Sequence, residues 1–149
     1  MYSDRHVLMS TEDPLPPDEQ RRLYFEAIRL FNAGEFFAAH EAWEEIWTCA
    51  TGDKQRFLQG LIQCAVALEH YRRGNPRGVV SLHRTYPRKF AGLPNIFMGL
   101  HVPNFLTKME HVLAPVLELK TLPKNGVIQL DPDRLFTMTL EHDPFAAGV

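Results

Sequence analysis

What the chain lacks narrows the field quickly. No apolar run approaches the roughly 18 to 20 residues that a membrane-crossing helix needs, so no span is expected. The opening stretch MYSDRHVLMSTEDPLPPDEQ has no apolar segment of the kind a signal peptide requires, which argues against export. Cysteine is scarce: Cys49 and Cys64 stand alone, without C-x-x-C spacing. That excludes a zinc cluster, makes a stabilising disulfide unexpected and fits a reducing cytoplasm. Neither G-x-S-x-G, a P-loop nor G-x-G-x-x-G is present, so hydrolase, nucleotide-binding and dehydrogenase readings lose their usual signatures. No Glu is followed three residues later by His, as a di-iron bundle would need, and HEAWE has Glu44 where a zincin helix places its second histidine. No cofactor is implied.

Acidic residues are missing from a long interval. Between Glu69 and Glu110 there is no Asp or Glu, whereas Arg72, Arg73, Arg77, Arg84, Arg88, Lys89 and Lys108 all fall there. The acids crowd the first third instead, and the formal net charge of -2 hides this asymmetry. Arg72, Arg73, Arg77, Arg84 and Arg88 are the candidates for touching nucleic acid, but a basic segment can equally dock on acidic helices of its own chain or of a second copy. Docking is the blander reading and nucleic acid the minor one.

What is present reads as helices with clear punctuation. At 149 residues the chain suits one domain with a real core. Residues 1–16 are polar with Pro14 and Pro16 and read as an arm; a helical domain spans 17–120 and an irregular tail 121–149. The first helix starts at Pro17, carries Asp18 and Glu19 in its first turn, and stops near Ala33 before Gly34. The second covers about 35–50 and the third about 54–73, the latter apolar on nearly all sides and therefore central. Gly74, Asn75 and Pro76 end one helix and start the next, about 76–86, which Pro87 should stop. Residues 90–102 read as a loop, and a fifth helix, about 103–119, should bend at Pro115. No sheet is expected. Short connections favour antiparallel neighbours, so the fold class is all-α, a helical bundle of about five helices.

Polar groups sit inside this apolar pattern. On the second helix His40 and Glu44 fall beside Phe36, Phe37, Trp43 and Trp47; on the third, Gln59, Gln63 and His70 share an arc of roughly 40°. Antiparallel packing would bring His40, Glu44, Gln59, Gln63 and His70 together as a ligand-binding cluster. Buried polar groups need partners, so the cluster is either a satisfied structural network or a pocket. His40, Glu41 and Glu44 are the candidates for acid-base catalysis, and His40, Glu44 and His70 form a weak metal set.

FNAGEFFAAHEAWEEIW, followed by RFLQGLIQCAVALEHYRRGNPRG, resembles the bacterial and archaeal family catalogued as domain of unknown function three hundred and nine. The resemblance covers about residues 28–82. Its pattern falls on Gly34, Phe37, His40, Glu41, Glu44 and Trp47, then on Gln59, Gly60, Leu61, Gln63, Gly74, Asn75 and Gly78. It implies a small all-helical cytoplasmic protein and no established catalyst. Departure begins after Leu82, where HRTYPRKFAGLP replaces the family's alanine- and leucine-rich pattern. The leading expectation is a non-catalytic domain that binds a small ligand or protein partner, or self-associates, near the polar cluster and without a membrane. A metal-assisted or acid-base hydrolase is the alternative.

Overall fold

The computed structural model describes residues 15–146, so the arm expected over 1–16 lies, apart from its last two residues, outside the described residues. Helix α1, Pro17–Asn32, opens with proline in its first turn and buries Leu23, Tyr24, Ala27, Ile28 and Phe31 along one face. Gly34, at φ 80, turns the chain into α2, Phe36–Trp47. Helix α3, Gly52–Arg72, is the longest and buries residues all round its circumference, among them Phe57, Leu58, Leu61, Ile62, Cys64 and Leu68. It is flanked by α2 on one side and α4, Pro76–Lys89, on the other, while α1 packs on α2. Helix α5, Val102–Leu117, packs against α4. The molecule is all-α in class, as the periodicity indicates.

Two local expectations are corrected. The loop expected over residues 90–102, without any sheet, instead holds a small ribbon: β1, Ile96–Phe97, pairs antiparallel with β2, Leu100–His101, with Phe97 opposite Leu100. Met98 and Gly99 between them both have positive φ, 47° and 79°, the geometry of a type I′ hairpin turn. The Tyr24 hydroxyl donates to the Met98 carbonyl at 2.9 Å, so the turn is fastened to α1. Nor does Pro87 stop α4, which runs on to Lys89. A proline in the last turn forfeits only its own N–H bond, and Phe90 beyond it is buried against α3 at Gly60, where a glycine leaves room for the ring.

The tail after α5 holds one short 3-10 turn, Pro132–Arg134, and is otherwise irregular. Its residues 127–130 form no strand. Yet the tail is tied down along its length. Gly126 N–H donates to Gly74 O at 2.8 Å, and Arg134 donates to His111 O at 2.7 Å. Asn32 exchanges two hydrogen bonds with the Met138 backbone, at 2.6 and 3.0 Å. Glu141 N–H reaches Gly99 O, and Asp143 pairs with Arg21. Phe136 packs on Phe31 and Phe105, and Phe145 on Tyr24.

Candidate functional site

Helix α2 presents Phe37, His40, Glu44 and Trp47 at intervals of three, four and three residues, a spacing that places them on one side of the helix. The fully buried Trp43 lies elsewhere on its circumference, against Phe31 of α1. His40 and Glu44 are themselves buried, 3% and 2% exposed, which is rare for ionisable groups. Phe37, by contrast, is 49% exposed and lies over the His40 ring with centroids 4.7 Å apart.

The imidazole is oriented by the backbone. A carbonyl can only accept, so the 2.7 Å contact between His40 Nδ1 and Phe37 O makes Nδ1 the protonated nitrogen. Nε2 then points to Glu44, with Oε2 at 3.9 Å. That is too long for a hydrogen bond.

Across the helix pair, Glu44 and Trp47 of α2 meet Gln59, Ile62 and Gln63 of α3 around a niche of about 50 Å³. Gln63 Oε1 accepts a hydrogen bond from Thr85 of α4 at 2.9 Å, which leaves its amide N–H groups as the donors available to the niche. The niche thus combines a carboxylate, an indole and two amides over an apolar floor. Its volume is far below the roughly 300–1,000 Å³ of small-molecule pockets, and suits the end of one side chain or a few water-sized groups. His40 stands behind Glu44 and does not line it.

His70 sits apart from these groups. It lies near the C-terminal end of α3, and its ring fills the space that a side chain at Gly78 of α4 would occupy. Asn75 uses its side-chain oxygen to cap Gly78 N–H, so its amide nitrogen donates to His70 Nδ1 at 2.9 Å. Burial, reinforced by the Arg73 charge, holds the His70 imidazole below its ordinary pKa. Four of the five sequence-derived groups therefore gather, and the fifth organises the α3–α4 turn. Among the described residues no three His, Cys, Asp or Glu side chains are close enough together to hold a metal ion. Glu41, the remaining acid-base candidate, is partly exposed on α2 and does not line the niche.

The arginines divide as well. Arg72 and Arg73 both close on Glu69, each with a contact of 2.6 Å. Burial pushes the Glu69 carboxyl up, but the hydrogen bonds from Arg72 and then Arg73 outweigh it and leave its pKa lowered. Arg77, Arg84 and Arg88 lie on α4, all exposed. Sequence reading missed Glu69 as the neutraliser of two arginines, although its i, i+3 and i, i+4 spacing announces the pairing. It also missed Ile62 as part of the niche floor and Thr85 as the group that sets Gln63.

An uncharacterized protein of Aquifex aeolicus (strain VF5) is 30% identical to this chain over 96 residues, 64% of the chain. The chain spans 29% of the length of that relative. A family model also matches, and its match ends at residue 82, where the family pattern is expected to break. Helix α2, helix α3 and the polar niche between them thus lie inside residues 24–82, the segment by which this chain matches the family described as Domain of unknown function (DUF309).

Proposed function

We propose that this is a non-catalytic binding domain that receives a small cationic group of a partner, at the niche formed by Glu44, Trp47, Gln59, Ile62 and Gln63. The observation that carries the reading is a carboxylate residue only 2% exposed that nonetheless lines a surface niche too small for a metabolite. A carboxylate in such low-dielectric surroundings attracts a cation far more strongly than one in water. The indole of Trp47 offers a face for the same charge, and exposed Phe37 nearby supplies an apolar contact for whatever carries it. The hydrolase alternative is less supported, because His40 Nε2 is turned to Glu44 and His40 does not line the niche. Cys49 and Cys64 are free thiols, and we place the domain in a reducing cytoplasm.

Methylguanidinium is a suitable probe. Titrated at constant ionic strength, it is expected to shift the Trp47 indole resonance saturably in the native chain and to leave it unmoved in Glu44→Gln. A Glu44→Gln protein that loses stability while the native chain shows no saturable response would reduce His40 and Glu44 to an internal clasp and defeat the binding reading.

A further inference from the structure

Helix α4 has a second face that the niche does not use. Val79 and Tyr86 are buried, and roughly opposite them on the helical wheel Arg77, Ser81, Arg84 and Arg88 are exposed within an arc of about 60°. The stripe runs for roughly 16 Å at 1.5 Å per residue. Among the described residues no carboxylate pairs with Arg77, Arg84 or Arg88, in contrast to Arg72 and Arg73, which Glu69 neutralises. The helix itself contains no acid. A one-sign field of this kind is not needed for packing, since the buried face alone holds α4 in the bundle.

We infer that this stripe is a binding site for the phosphate backbone of nucleic acid, contacted without reading its sequence. Guanidinium groups match phosphate oxygens in fork geometry, and the stripe is long enough to face several consecutive phosphates of one strand. A lipid surface fits less well. Basic helices that lie on membranes carry Trp, Phe or Leu beside their charges, whereas the large exposed apolar residues here, Phe37, Ile96, Leu119, Leu122 and Val127, all lie off α4. A folded protein partner would need an apolar anchor at the centre of the contact. The exposed stripe offers only Ser81 between its arginines. A repeating anion with little apolar demand is what remains.

The test uses the full chain and a labelled single-stranded RNA of mixed sequence, read by fluorescence anisotropy over a salt series. Binding should weaken linearly with the logarithm of salt concentration. The triple variant Arg77→Gln, Arg84→Gln, Arg88→Gln should lose about tenfold or more in affinity and flatten the slope by about 2, at roughly 0.7 for each phosphate no longer neutralised. The variant Lys120→Gln, Lys124→Gln, altered in exposed residues beyond α5, should bind as the native chain does. Circular dichroism checks that both variants keep their helices. Absence of binding at low salt overturns the site, as does binding indifferent to salt or an equal loss in both variants. Tighter binding to phosphatidylserine vesicles or to polyglutamate than to RNA would also overturn it. None of these outcomes bears on Glu44, so the niche and the stripe stand or fall separately.

Discussion

Two histidines in this chain have different states in the fold. His40 gives its Nδ1 proton to a carbonyl and turns Nε2 to a carboxylate, whereas His70 receives a proton from Asn75 at Nδ1 and so carries its own on Nε2. Protonating His70 at Nδ1 would break the Asn75 bond and set a positive charge beside Arg73. Its pKa is therefore lower in the folded chain than in the unfolded one, and the unfolded state binds the proton first. The contribution to stability is complete above the unfolded value, about 6.5, and is lost as pH falls from there through the folded value. We expect chemical denaturation midpoints to drop between neutral and mildly acid pH, and the drop to be smaller in His70→Gln. Identical pH profiles for the two proteins would contradict the assignment. The arc of roughly 40° that His70 shares with Gln63 measures rotation about the axis, while seven residues also separate the two by about 10 Å along it.

At the level of elements, the contact between α3 and α4 depends on small residues. Gly78 lies against the His70 imidazole so closely that a Cβ there would overlap the ring. In an ordinary helix interior, replacing Gly with Ala stabilises by about 1 kcal/mol. Here overpacking should reverse the sign, and Gly78→Ala should destabilise by about 1–3 kcal/mol. Adding His70→Ala should recover much of that stability, and a double-mutant cycle by urea denaturation measures the coupling. Additive effects would show that the two residues do not meet. Several helix boundaries, though not the end of α4, were legible because they are written in local chemistry: Pro17, Gly34, Asn75 and Pro76 act through their own dihedrals and hydrogen bonds. The β1–β2 ribbon was not, since two residues per strand leave no alternation to detect. Its turn also relies on Met98 at positive φ, held by a hydroxyl 74 residues away.

Considered whole, the molecule has one core that ignores the boundary of the family match. Phe90, Phe105, Met109, Val112, Leu113 and Met138 lie beyond residue 82, yet they join Phe31, Trp43, Phe57 and Leu61 in a single buried cluster. A fragment of residues 17–89 should therefore keep some helix by circular dichroism but show no cooperative thermal transition; a sharp transition would mean that the matched segment folds by itself. Charge also reads differently at this scale. Glu19 and Glu26 are paired with arginines of their own helix, so the acidic first third is less of a partner for α4 than its composition suggests. The basic interval likewise shrinks from five arginines to three.

The hydrogen bonds between Asn32 and Met138 join positions 106 residues apart. During synthesis from the N-terminus, α1 is complete long before residues 136–145 exist, so Tyr24 and Phe31 wait without Phe145 and Phe136 until almost the whole described chain has emerged. Closing a loop of that length is slow compared with forming helices. A segment translated long after the first helix is thus the one that covers it, and the interval before it docks is when this chain is most exposed to aggregation and to chaperones.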